Sequence, residues 1–349
     1  MFELPKKILI LRLSSIGDII LTSSLIRSVR SKVGKNARID FVVKKEFSEL
    51  VKFNHNLSFT FEYDSTSKFS GLKKLANELK NEKYDLVIDL HDNLRTKYLR
   101  NFCLAKEVVS IDKESWKRFK LIHFRKNDFV NHLHIVEKYF KSLEDFNVKY
   151  DGKGNDIYIP DEIQFSISSR FSELKLNNFN KVIGICPGAK HFTKIWPTEK
   201  FEKCVKILSL KYNAKILLFG GQSDLIYSQK IINNLKKETD VKYLTDFTGK
   251  LSLLETAQAF EYCDLIIAND TGLMHLASAK QKPIVAIFGS TTKEFGFTPF
   301  ETKNIIVENY NLECRPCTHI GKDKCPKKHF KCMVDISEDE VLKCVEKLI

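Results

Sequence analysis

No stretch of this 349-residue chain approaches the ~20 consecutive apolar residues that a membrane-spanning helix needs. The beginning lacks the continuous apolar core and small-residue cleavage site of a secretion signal; residues 1–13 alternate basic and apolar side chains as a strand would, and a cytoplasmic location is expected. Gly-x-Gly-x-x-Gly is missing from the first strand-to-helix turn, which disfavours a dinucleotide site, and Gly-x-x-x-x-Gly-Lys-Ser/Thr is missing too, which disfavours a phosphate loop of the nucleoside-triphosphatase type. Internal repeats and low-complexity tracts are also absent, and with them the repeat architectures.

What is present describes a globular chain. It is 43% hydrophobic and 29% charged, and it is long enough for two domains that each bury a core. The net charge of +13 is uneven: residues 1–160 hold 30 Lys/Arg against 21 Asp/Glu, and residues 161–349 hold 27 against 23. A basic first half suits an acidic partner, whether a phosphorylated glycolipid, an anionic membrane face or nucleic acid, and equally suits a solvated surface.

Short apolar runs alternate with amphipathic stretches. Residues 7–13 lead through Ser14-Ser15-Ile16-Gly17-Asp18 into a helical pattern over 19–33, and further runs follow at 39–43 and 85–90. After a polar stretch and Pro160, a second series appears at 182–186, 215–219, 265–268 and 284–288. This βα alternation predicts an α/β chain with two doubly wound parallel sheets, one per domain, divided as 1–160 and 161–349. Ser252 with Glu255, and Ser337 with Glu340, are capping-box pairs that predict helix starts. Two such domains facing one another leave a cleft where strand-end loops meet a ligand.

Three loops in the second half suit a phosphate. Cys186-Pro187-Gly188-Ala189-Lys190, continuing to Lys194 and Trp196-Pro197, supplies glycine for close backbone approach and two lysines for charge. Phe219-Gly220-Gly221-Gln222-Ser223-Asp224 offers a carboxylate for ribose hydroxyls, although Gly-Gly at such a turn also occurs for conformational reasons alone. Asn269-Asp270-Thr271-Gly272-Leu273-Met274-His275 opens a helix whose first N–H groups and Thr271 hydroxyl can meet a diphosphate; alternatively Asp270 is only a helix cap. In the first half Asp18, just past a strand end, is either a general base or a helix cap.

On these residues the chain resembles the bacterial lipopolysaccharide heptosyltransferases, inverting glycosyltransferases that use ADP-heptose. Supporting the likeness are Ser14 to Asp18, Pro187-Gly188-Ala189 with Lys194-Ile195-Trp196-Pro197, the 219–224 loop, and Asp270-Thr271-Gly272-Leu273-Met274-His275. The resemblance implies a GT-B architecture of two Rossmann-like domains, acceptor on the first and nucleotide sugar on the second. It implies Asp18 as base, Lys194 at the donor phosphate and Asp224 at the ribose. Asp270 then accepts sugar hydroxyl bonds, and Thr271, Gly272, Leu273 and His275 surround the diphosphate and heptose. The expected partners are ADP-heptose, an anionic lipid-linked core oligosaccharide and the inner-membrane surface, where the chain would sit peripherally, with no nucleic acid. No cofactor is required for such a transfer, since a deprotonated acceptor and a charge-stabilised leaving group suffice. Arg95 and Lys97, after the 85–90 run, and Arg118 and Lys120 further on, are acceptor-side candidates in the first half.

Cys314, Cys317, Cys325 and Cys332 place four thiols within nineteen residues. That density suits a structural zinc or iron ion, with His319 and His329 as substitutes, and free thiols or disulfides are the alternatives. The last helix is expected to pack Val341, Val345 and Leu348 on the body of the protein, and by the GT-B likeness to return to the first domain. Rival readings are another nucleotide-sugar transferase or epimerase, and a non-catalytic basic glycan-binding protein.

Overall fold

A computed structural model describes residues 5–129, 132–236 and 242–349. The chain forms two compact units, one of Met1–Lys113 with Leu133–Tyr158, the other of Glu114–His132 with Ile159–Ile349. Among the described residues no helix is long and apolar enough to cross a membrane.

The first unit is built on five parallel strands, β1 (Lys7–Leu11), β2 (Arg38–Lys44), β3 (Phe59–Tyr63), β4 (Leu86–Asp89) and β5 (Glu107–Ser110), in the order β3-β2-β1-β4-β5. Ile8, Leu9, Ile10 and Leu11 are wholly buried because helices cover both faces of a parallel sheet, so its central strand reads as a continuous apolar run. On one face Leu9, Leu11, Val42 and Val87 pack with Leu72, Leu75, Ala76 and Leu79 of the helix Lys68–Glu82. The connections run in opposite directions on either side of β1, so the β1/β4 edge is a switch point, and the loops beyond those two strands open there.

The second unit has six parallel strands, β6 (Lys181–Cys186), β7 (Ala214–Leu218), β8 (Leu244–Asp246), β9 (Leu265–Asn269), β10 (Ile284–Phe288) and β11 (Asn304–Glu308), in the order β11-β10-β9-β6-β7-β8. Its switch point lies between β6 and β9. Both expected capping boxes form: Ser252 Oγ accepts from Glu255 N–H and Ser337 Oγ from Glu340 N–H, each at 3.2 Å.

Two placements differ from the sequence expectation. The segment 114–132, expected in the first domain, belongs to the second unit. Leu121 and Phe129 pack against Phe295, and Arg125 donates to the carbonyls of Pro316 (2.5 Å) and Cys314 (3.2 Å). The final helix, Glu338–Glu346, packs Val341 and Val345, with Leu348 just beyond it, on the body of the protein as expected, against the core of Phe201, Cys204 and Leu208, but it belongs to the second unit rather than returning to the first.

Candidate active site

In the first unit, Arg12 and Leu13 prolong β1: Arg12 N–H donates to Val42 O at 3.2 Å, and Leu13 N–H donates to His91 Nδ1 at 3.2 Å. Ser15 then caps the helix Ile16–Ile20, and Asp18 reaches back to accept from Ser15 N–H (3.1 Å) and Ser15 Oγ–H (2.6 Å), both on Oδ2. The Arg12 guanidinium closes on Oδ1 and also donates to the carbonyls of Leu90 and Ser14. Asp18 is therefore the acidic member of a capping box rather than the cap itself. A carboxylate offers about four lone-pair sites; Ser15 and Arg12 fill three, and one remains on Oδ1.

Burial alone would raise the Asp18 carboxyl, but the Arg12 charge and the Ser15 donors outweigh it and hold it below the ordinary aspartate range. Asp18 is ionised at neutral pH. Burial, followed by repulsion from Arg12, pushes His91 down to about 3. Its ring is neutral, and since Nδ1 accepts from Leu13, the proton sits on Nε2 as an available donor.

Beyond β4 the buried Asp89 carboxylate accepts from the N–H groups of His91 (3.0 Å) and Asp92 (2.7 Å) and holds Arg100 at 3.2 Å. Asn93 caps the helix Leu94–Cys103 by accepting from Arg95 N–H (2.9 Å) and Thr96 N–H (3.0 Å), which sets Arg95 and Lys97 on its first turn. Lys97 stands 3.4 Å from Asp92, and Arg95 is exposed with no ion-pair partner among the described residues. Arg118 and Lys120, on the helix Ser115–Phe124, lie in the other unit. Arg118 rests over the Phe297 ring and Lys120 pairs with Asp128 at 2.8 Å, so these two cations do not join Arg95 and Lys97 within the first unit.

In the second unit the three loops interlock. Asn269, fully buried at the end of β9, accepts from Trp196 N–H at 3.1 Å and donates to Pro187 O at 2.9 Å, tying the loop after β6 to the loop after β9. A Cβ on Gly188 would lie 2.2 Å from Asp224 Cγ, and one on Gly220 2.8 Å from Asp224 Cβ, so both glycines are required by close approach. Asp224 accepts from Gly221 N–H at 2.9 Å; burial raises its carboxyl, partly offset by the Gly221 and Ser223 donors.

Asp270 does not cap its helix. Its Oδ2 takes Lys194 Nζ at 2.7 Å and Thr291 Oγ1 at 2.6 Å, while Oδ1 carries no bond among the described residues. Thr271 occupies the cap position of the helix Gly272–Ala279, yet its hydroxyl makes no capping bond and is buried without a partner among the described residues. The helix thus presents first-turn N–H groups and a hydroxyl without a partner among the described residues, next to the Lys194–Asp270 pair, and such groups suit an anion. Gly272 and Leu273 form the first turn and His275 is buried behind it.

Sequence reading missed Arg12 and Thr291. A lone arginine inside the apolar run 7–13 was a legible signal, because a charge in a buried strand must be paired. So was Gly289-Ser290-Thr291-Thr292, a polar cluster directly after a predicted strand.

The cysteine segment touches this same site. Cys317 N–H donates to Ser290 O (3.2 Å), Thr193 N–H to Lys322 O (3.0 Å), and Ser290 Oγ–H to Thr193 Oγ1 (2.9 Å), so the residues beside Lys194 and Thr291 are braced by it. None of the nine cysteines is paired in a disulfide. Cys314, Cys317, Cys325 and Cys332 line one cavity with His329, and burial pushes Cys332 up to about 12. Among the described residues no three His, Cys, Asp or Glu side chains are gathered closely enough to hold a metal. The donor chemistry fits a tetrahedral site; the side-chain arrangement does not form one.

A family model described as glycosyltransferase family 9 (heptosyltransferase) matches residues 72–328. Lipooligosaccharide heptosyltransferase 2 of Campylobacter jejuni subsp. jejuni serotype O:2 is 26% identical, the alignment covering 96% of this chain and 95% of that protein. The crystal structure of a family 9 glycosyl transferase from Veillonella parvula superimposes with a TM-score of 0.81 at 25% identity, over 98% of this chain and 97% of that one. E. coli ADP-heptose lps heptosyltransferase II superimposes with a TM-score of 0.73 at 21% identity, covering 98% of each.

Proposed function

The chain belongs to glycosyltransferase family 9, the heptosyltransferases, and on that premise we propose that it transfers heptose from ADP-heptose to the inner core of lipopolysaccharide with inversion. The observation that supports the donor half is the start of the helix Gly272–Ala279, where the Thr271 hydroxyl is buried without a partner among the described residues and Lys194 is bound to the neighbouring Asp270.

In this reading the second unit holds the donor. Lys194 and the first turn at Thr271, Gly272 and Leu273 receive the diphosphate, Asp224 binds the ribose, and Asp270, through its open Oδ1, with His275 orients the sugar. The first unit holds the acceptor, with Arg95 and Lys97 on its anionic groups and Asp18 as base. The acceptor hydroxyl oxygen attacks the anomeric carbon, its proton passes to the remaining lone pair on Asp18 Oδ1, and the sugar–phosphate bond breaks with its electron pair leaving on ADP. Asp18 held ionised at neutral pH, and Lys194 next to the start of the helix Gly272–Ala279, support this reading. Because the acceptor is lipid-linked, the protein works peripherally at the inner-membrane surface.

The cysteine cluster is assigned one structural zinc or iron ion. Four cysteines and His329 lining one cavity support it, and these residues would hold the ion once drawn closer together. Elemental analysis of purified protein tests this: about one equivalent per chain, lost in Cys314→Ser/Cys317→Ser, is expected, and a metal-free, fully stable protein refutes it.

Thermal shift against a panel of nucleotide sugars tests the donor assignment. Selective stabilisation by ADP-heptose is expected; a response confined to uridine nucleotides would overturn it. Asp18→Ala should abolish transfer while leaving ADP binding nearly intact, and full activity in that variant removes Asp18 as the base.

A further inference from the structure

The helix Ser115–Phe124 has a face that the fold does not use. Leu121 and Ile122 turn inward onto Phe129, Phe295 and Phe297, and Arg118 lies over the Phe297 ring. Trp116, Phe119 and Phe124 are 63%, 41% and 67% exposed. They are not splayed at random: Trp116 and Phe119 stack with centroids 5.4 Å apart and planes 10° apart, and Phe119 also meets His123 at 4.4 Å and Phe124 at 5.8 Å. Three large aromatics assembled on the solvent side of one short helix form a contiguous apolar patch, and such patches mark a contact surface.

The surroundings state the chemistry of the contact. From Ser115 to Asn127 the chain carries five Lys/Arg and no Asp/Glu, and counting Glu114 and Asp128 the net charge over 114–128 is +3. Lys120 Nζ sits 5.6 Å from the Trp116 ring centroid, so cation and aromatic share one surface. Tryptophan and phenylalanine flanked by lysine and arginine match the region where headgroups meet acyl chains in a bilayer bearing negative charge.

We propose that the face formed by Trp116, Phe119 and Phe124, with Lys120 at the Trp116 ring and the exposed Lys126 two residues beyond Phe124, is the membrane-docking surface of this protein, and that its occupant is an anionic bilayer. The inference deepens the membrane part of the function proposed above by naming the element, and it does not depend on which sugar is transferred.

The chain supplies its own probe. It has two tryptophans, Trp116 on this face and Trp196 fully buried in the second unit, so a change in emission on docking comes from Trp116. Full-length protein is mixed with vesicles of phosphatidylglycerol and phosphatidylethanolamine, or of phosphatidylcholine alone, and both co-sedimentation and emission are read. Binding to the anionic vesicles with a blue shift is expected, with at least tenfold weaker binding to the neutral ones. The triple variant Trp116→Ala/Phe119→Ala/Phe124→Ala, all at exposed positions, should lose binding with its unfolding temperature unchanged. Lys120→Ala/Lys126→Ala should weaken binding about thirtyfold, since each cation near an anionic surface contributes ~1 kcal/mol. No binding by the wild-type protein, or equal binding by the triple variant, overturns the proposal. Because vesicle binding is read without donor or acceptor, its failure is separate from failure of the heptosyl reading. Transfer to a lipid-free core oligosaccharide should be unchanged in the triple variant.

Discussion

Replacing Arg12 by methionine isolates what holds the Asp18 carboxylate ionised. Arg12 and Asp18 side chains are only 9% and 17% exposed, and the guanidinium also donates to the carbonyls of Leu90 and Ser14. Removing one member of a mostly buried pair leaves the other charged and unpaired, a loss of about 3–5 kcal/mol for full burial; with Asp18 still touching solvent, about 3 kcal/mol is expected. The pH dependence follows from the sign of the shift. Asp18 is held below its unfolded value of 3.8, so its contribution is present above that value and is lost as pH falls through the lower folded one. Without Arg12 the burial effect is no longer outweighed, the carboxyl rises, and the acid limb of the kcat profile moves to higher pH. Urea denaturation at several pH values and a pH profile of transfer measure both effects. Arg12→Met/Asp18→Asn should recover most of the lost stability, because the orphaned charge is gone, and this keeps the test readable if the single variant folds poorly. A loss below about 1 kcal/mol, or an acid limb that stays put or moves down, would refute the reasoning.

Three further outcomes are expected. Lys194→Ala should weaken ADP binding about ten- to hundredfold by calorimetry, the scale of one charge-assisted hydrogen bond, and unchanged affinity would remove Lys194 from the phosphate. Gly188→Ala forces a Cβ to within 2.2 Å of Asp224 Cγ and should destabilise by about 1–3 kcal/mol, relieved in part by Asp224→Gly; a wild-type melting temperature for the single variant would mean the two loops are not interlocked. Asn269→Ala leaves the Trp196 N–H and the Pro187 carbonyl without their partner in a buried site, and a loss of about 2–3 kcal/mol with weakened donor binding should follow, whereas stability loss without any change in ADP affinity would separate this residue from the donor loops.

The strands read from the sequence and the strands it left unread separate on one physical ground. Strands β1, β2, β4, β6, β7, β9 and β10 were all visible as apolar runs, and all are interior strands of their sheets. The four missed, β3, β5, β8 and β11, are the four edges. An edge strand has one neighbour and is less completely covered, so Glu107-Val108-Val109-Ser110 has three exposed residues and carries no apolar run. The site divides in a similar way. Asp18, Lys194, Asp224, Asp270 and Thr271 each sit past a strand end, and strand-end loops can be located from local pattern alone.

The amino-acid sequence by itself determined the α/β class, the interior strands, the capped helix starts and the strand-end loops proposed to carry the chemistry, because periodicity and turn residues are local properties. Tertiary structure alone decided the partners. Asp270 turned from a helix N-terminus to Lys194 and Thr291, Arg12 closed on Asp18, and the segment 114–132 joined the second unit. Those pairings join residues far apart in the chain or on different elements, and desolvation selects among them only once the sheets have brought the candidates together.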